Sequence, residues 1–125
     1  MTRQTVTLGT IKTPPFYSHA VLAGGLVFVS GIGAFDETGA VVGATIGEQT
    51  ARALQNISDI LEAAGSTLDK VVSATAILAD GDADWAGFNE EWAKWFPTDP
   101  PARQAAQLPV RVPGLKVSIA VVAAA

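Results

Sequence analysis

Few side chains in this chain of 125 residues are equipped for chemistry. Arg103 closes the segment Pro100-Pro101-Ala102-Arg103 and is followed closely by Ala105 and Ala106. Small neighbours leave room around a guanidinium, which can grip a carboxylate in a two-point fork. The same spacing is compatible with a surface or interface salt bridge to an aspartate. Tyr17 and Ser18 follow the stiff Pro14-Pro15-Phe16 turn, so their hydroxyls have a defined direction. Ser30, just before Gly31 at the end of an apolar run, can offer a hydroxyl and adjacent backbone amides to a small polar group. Asn89, beside Phe88, can reach a ligand with its amide. Each of these polar residues could equally serve a local turn or cap. His19 is the one side chain that titrates near neutrality without a shift, and a lone histidine between Ser18 and Ala20 reads more readily as structural than catalytic.

What is missing narrows the field. With no cysteine there is no disulfide, thiolate zinc site or cysteine nucleophile, and a single histidine excludes a multi-histidine metal site. No metal and no cofactor are expected. Gly31-Ile32-Gly33 lacks the third glycine and the following helix of a dinucleotide fingerprint. Glu90-Glu91 points to different sides of a helix and reads as a solvated face. A net charge of −4 and eight basic residues scattered without a run disfavour nucleic acid as a partner. No apolar run approaches the ~20 residues that span a bilayer, and the first ten residues lack a signal peptide's apolar core, so a soluble cytoplasmic protein away from membranes is expected.

The elements that must position these residues follow from periodicity. One domain is expected at this length, and 49% hydrophobic content supports a core. Arg3 to Leu8 and Leu26 to Ser30 read as strands, the second preceded by the turn pair Gly24-Gly25 and broken by Ser30-Gly31-Ile32-Gly33. Thr45-Ile46-Gly47-Glu48 is a capping box opening a helix that shows Ala53, Leu54, Ile57, Leu61 and Ala64 on one face and ends at Gly65. Val71 to Leu78 is a strand. Asp80 to Asp84 starts a second helix, whose Trp85, Phe88, Trp92, Trp95 and Phe96 form an aromatic stripe that reads as core. Two strands follow, near Ala102–Leu108 and Lys116–Val122. The fold class is therefore α+β, a mixed sheet with two helices packed on one face. The last strand is apolar or small on both faces, so the face without helices needs a partner, which a symmetric oligomer supplies.

Taken together, residues 13–20 (TPPFYSHA), 26–31 (LVFVSG), 49–57 (QTARALQNI), 62–65 (EAAG), 71–75 (VVSAT), 88–89 (FN) and 101–103 (PAR) resemble the RidA/YjgF family of reactive intermediate deaminases. The resemblance is collinear over nearly the whole chain. It implies a chorismate-mutase-like α+β sandwich and a homotrimer whose sheets face a central barrel, with ligand clefts between subunits. It also implies hydrolysis of small 2-imino acids and their enamine tautomers to 2-oxo acids and ammonia. By position, Arg103 corresponds to the arginine that holds the substrate carboxylate, and Tyr17, Ser30, Gly31 and Asn89 to residues lining the cleft. Where the family carries a V-E-I-E pattern in the last strand, this chain reads Val117-Ser118-Ile119-Ala120. Ala105 stands where cysteine, serine or threonine is common, and His19 where glutamine is. The site would thus keep its carboxylate anchor and lose the glutamate that handles the attacking water, with Ala105 and Ala120 as small lining residues. The alternative is a trimeric carboxylate-binding or pathway-accessory protein without catalysis. Ribonuclease activity, also attributed to this family, fits poorly with the charge.

Overall fold

Alternation along the last strand organises the sheet. Val117, Ile119, Val121 and Ala123 are at most 2% exposed, whereas Ser118, Ala120, Val122 and Ala124 between them are only half-buried. A strand with one face sealed and the other half-open belongs in the middle of a sheet covered on one side. The computed structural model describes residues 2–125 and places it there. In chain order the elements are β1 (Gln4–Val6), β2 (Ala20–Ala23), β3 (Leu26–Ile32), α1 (Ile46–Ala63), a 3₁₀ turn (Leu68–Lys70), β4 (Val71–Leu78), α2 (Gly81–Trp95), β5 (Ala102–Gln107) and β6 (Val117–Ala124). The sheet order is β1-β2-β3-β6-β4-β5. Every neighbouring pair is antiparallel except β4 and β5, which run parallel. This is the expected α+β mixed sheet.

Both helices lie on the sealed face, α1 over β3 and β6 and α2 over β4. Ala53, Leu54, Ile57, Ile60 and Leu61 of α1 are fully buried. The capping box forms as the sequence predicts: Glu48 N–H donates to Thr45 Oγ1, and Thr45 N–H donates to Glu48 Oε1, both at 3.1 Å. Gly65 ends the helix with φ of 84°, a left-handed geometry that favours glycine. Two buried amides on α1 anchor the loops at the sheet's ends. Gln49 donates to the carbonyls of Gly43 and Gly114 and accepts from Lys116 N–H. Asn56 donates to the carbonyls of Gly33 and Phe35. The Q-T-A-R-A-L-Q-N-I segment thus carries loop anchors.

Two sequence expectations need correction. Ala20–Ala23 is a strand, which alternation over four apolar residues cannot reveal. Gly24 and Gly25, with φ of 60° and 77°, make a two-residue hairpin turn that pairs this segment with the strand after it. In addition, β3 does not break at Ser30-Gly31 but runs on to Ile32 through a bulge. The remaining boundaries fall within a residue or two of expectation. No helix among the described residues is long and apolar enough to cross a membrane.

Replacing Thr45 with alanine removes the acceptor for Glu48 N–H and is expected to cost about 1 kcal/mol in urea unfolding. Serine at the same position keeps most of that stability. An alanine variant as stable as the wild type would show that the box contributes nothing.

Candidate functional site

Strand β5 is the sheet's edge, and its parallel register with β4 fixes the direction of each side chain. Arg103 aligns with Ala74, Ala105 with Ala76 and Gln107 with Leu78. Those β4 residues are buried beneath the helices, so Arg103, Ala105 and Gln107 face the helix side as well. There α2 meets the guanidinium. The Arg103 Cζ atom lies 5.5 Å from the Trp85 ring centroid, 5.1 Å from Phe88 and 5.2 Å from Trp92. Cation–π stacking of this kind contributes about 0.5–2 kcal/mol. Burial lowers the pKa of Arg103 from its usual value, but a guanidinium still keeps its proton. Among the described residues no carboxylate lies within ion-pairing distance of it; the one salt bridge joins Lys94 and Glu91. A half-buried cation stacked on rings, with no intramolecular carboxylate, has the chemistry to pair with one.

The sequence suggests an arginine among alanines, which is amended, and an aromatic core stripe, which holds for Phe88, Trp92 and Phe96 with Trp95 packed against them, while Trp85 stays outside the core. Ala102 and Ala106 alternate to the opposite face, leaving only Ala105 beside Arg103. Trp85 is 47% exposed, and together with Phe88 and Trp92 it frames the guanidinium. Spacing revealed the stripe, but what it would cover depended on strand pairing. Asn89, half-buried, follows Trp85 by one helical turn and sits on that same side of α2. Glu91 is not simply solvated either, since Trp95 Nε1–H donates to it at 2.9 Å.

A second group assembles around the β3 bulge. Val29 pairs with Val121 and Ile32 with Ile119, so Ser30 and Gly31 together oppose the single residue Ala120. Three expected residues therefore meet. Ser30 Oγ donates to the Ser18 carbonyl at 2.6 Å, which commits its proton and leaves the oxygen as an acceptor. A Cβ on Gly31 would stand 3.0 Å from Ser118 Oγ, so a side chain there would displace that hydroxyl. Ala120, level with Thr75, looks to the open face, where a hollow of about 130 Å³ lies among Phe28, Ser73, Thr75 and Val122. Tyr17 is half-exposed in a neighbouring hollow with Lys12, Phe35 and Val112.

The expected site residues thus form two groups in one chain. Arg103, Asn89 and Ala105 gather under α2 at the β5 edge; Ser30, Gly31 and Ala120 gather at the β3–β6 bulge, with Tyr17 beside them through Ser18. The two groups lie on opposite faces, and β5 is three strand positions from β3, or about 14 Å. Among the described residues no group of three or more metal-ligating side chains is assembled.

His19 is 1% exposed and bonded on both nitrogens. Leu8 N–H donates to Nδ1 at 2.9 Å, so the neutral ring carries its proton on Nε2, facing Thr13 Oγ1. Burial pulls its pKa below the ordinary 6.5, partly opposed by a bond to the Lys12 backbone. The histidine ties the N-terminal segment to the loop before β2.

Comparisons with known proteins follow the same outline. The family model described as Endoribonuclease L-PSP matches residues 10–125. The chain is 40% identical over 108 residues to Reactive Intermediate Deaminase A, chloroplastic, of Arabidopsis thaliana, covering 86% of this chain and 57% of that protein. It is 36% identical over 108 residues to human 2-iminobutanoate/2-iminopropanoate deaminase, covering 86% and 78% respectively. The crystal structure of yeast Mmf1 superposes with a TM-score of 0.92 at 29% identity, covering 98% of each chain.

The neutral state of His19 sets the sign of a pH effect. Below about pH 6.5 the unfolded chain takes up a proton more readily than the folded chain, so stability falls as pH drops through that value. Urea unfolding between about pH 7.5 and about pH 5.5 should show a steeper loss for the wild type than for His19→Gln. Equal slopes would mean that His19 is not held neutral.

Proposed function

Because the chain belongs to the endoribonuclease L-PSP family, that of the YjgF and RidA proteins, we propose that it hydrolyses reactive 2-imino acids to 2-oxo acids and ammonia. The observation that carries this reading is the Arg103 guanidinium, stacked under three rings and free of any intramolecular carboxylate. The deaminase names of the Arabidopsis and human relatives support the same chemistry. The chain spans little more than half of the Arabidopsis protein, so the activity is carried over at the level of this domain.

In the proposed reaction the substrate carboxylate pairs with the Arg103 fork, and Asn89 orients the group beside it. Water adds to the imine carbon, the C–N bond breaks, and ammonia leaves with the protons transferred to nitrogen. An imine carbon is already electrophilic, so positioning supplies much of the acceleration. Ser30 has its proton committed to Ser18 and can only accept from the attacking water. Gly31 lets the backbone come close to the substrate. Proton transfer then falls to Tyr17, to water and to the substrate, since Ala120 carries no acid or base.

This mechanism requires the two groups of residues to meet, which a homotrimer achieves by setting the α2–β5 edge of one copy against the β3–β6 bulge of the next. The open sheet face supports such an assembly: Phe28 is 44% exposed there, beside half-buried Ala120 and Val122. A second reading, a trimeric carboxylate-binding or accessory protein without catalysis, draws on Ala120 and Ala105. The scattered basic residues and net charge of −4 speak against RNA as substrate.

With an imine generated in situ by an amino-acid oxidase, the protein is expected to speed its loss, and Arg103→Ala to abolish the effect. An alanine variant of equal activity would sink the mechanism. Ala120→Glu, which adds a proton carrier at the bulge, is expected to raise the rate about tenfold or more. The native mass should be three times 12.9 kDa; a monomer contradicts the shared site.

A further inference from the structure

We infer that the substrate side chain is bulky and uncharged, best served by an aromatic ring, and that it lodges between the start of α2 and the end of β5. This deepens the reading of Arg103 as carboxylate anchor and rests on it. A cavity of about 380 Å³ opens there, within the roughly 300–1,000 Å³ range of small-molecule sites. Two observations tie it to Arg103. Ala105, in its wall, is two residues further along β5 on the same face, about 7 Å away. Trp85, also in its wall, has its ring 5.5 Å from the guanidinium carbon and remains 47% exposed. With its carboxylate on Arg103, a substrate can extend its side chain along β5, and about five carbon–carbon bonds of ~1.5 Å, the reach of a benzyl group, bridge most of the gap.

The walls define what fits. Ala105 leaves the space open, and the Trp85 ring offers a surface on which an aromatic group can stack. A methyl side chain would touch none of it. The site is also closed to a second anion. The start of α2 would ordinarily attract one, but Gly81 N–H donates to Gln107 Oε1 at 2.7 Å and Ala83 N–H donates to Asp80. Asp82 is among the lining residues besides, so a substrate with a terminal carboxylate meets a residue of like charge. Imino acids with an aromatic or large aliphatic side chain are favoured over the alanine-derived one, and those derived from aspartate or glutamate are rejected.

Stable 2-oxo acids test this without turnover. Phenylpyruvate, pyruvate and 2-oxoglutarate are titrated by calorimetry into the assembled protein, with the oxidase-coupled assay run on phenylalanine and alanine in parallel. Phenylpyruvate should bind at least about tenfold more tightly than pyruvate, and 2-oxoglutarate more weakly than phenylpyruvate by a larger factor. Ala105→Leu, which fills the cavity, should bring the phenylpyruvate-to-pyruvate ratio towards one. Asp82→Asn, at an exposed position that does not threaten folding, should narrow the discrimination against 2-oxoglutarate. Equal affinity for phenylpyruvate and pyruvate, with both lost in Arg103→Ala, overturns the side-chain inference and leaves the anchor standing. Binding of neither, or binding indifferent to Arg103→Ala, overturns the anchor and this inference together.

Discussion

The parallel pairing of β4 with β5 is the constraint on which the candidate site depends. Parallel neighbours cannot be joined by a hairpin, so the chain must cross the sheet between them, and α2 is that crossing. Wherever β5 docks, α2 is then laid across it. Trp85, Phe88 and Trp92 come down onto the edge strand at the one position that carries a cation. A guanidinium withdrawn from water usually demands a carboxylate. Here, for the half-buried Arg103, the ring faces supply part of the compensation, and no carboxylate of the chain pairs with it.

The bulge in β3 plays the corresponding part at the other half of the site. Two residues opposing one turn the backbone of Ser30 and Gly31 toward Ala120 and hold Ser30 against the Ser18 carbonyl. That bond and the Ser30 N–H donating to the His19 carbonyl at 2.9 Å together set the loop bearing Tyr17 beside the bulge. Neither group resembles an active site by itself: one holds a cation without a proton carrier, the other hydroxyls with only the exposed Lys12 near Tyr17 for a charge. In the proposed reaction the two groups must meet across copies, and it is there that the half-open sheet face would gain a functional meaning.

Much of this was legible beforehand where the signal is local. Thr45 and Glu48 announce the start of α1, Gly65 its end, and Val71–Leu78 reads as a strand because its pattern and boundaries agree. What escaped depended on pairing. Ala20–Ala23 becomes a strand because a Gly-Gly turn folds it onto β3, and Ser30-Gly31 stays in the sheet because β6 accommodates two residues opposite one. The aromatic stripe is core at Phe88, Trp92 and Phe96, as its spacing indicates, but that Arg103 lies beneath it follows only from strand pairing.

By itself the sequence determined the inventory and its local grammar: no thiol, one histidine, one arginine after a proline pair, alanines at positions 105 and 120, and the helices' caps and apolar faces. These are set by residue identity and by contacts a few residues apart, which any neighbouring structure leaves intact. Only the tertiary structure decided what those residues face. The buried His19 held neutral, the guanidinium under its rings, the bulge opposite Ala120 and the cavity beside Trp85 all arise from strand register and from where a helix crosses the sheet. Those are set by the packing of segments far apart in the chain, and no local pattern encodes them.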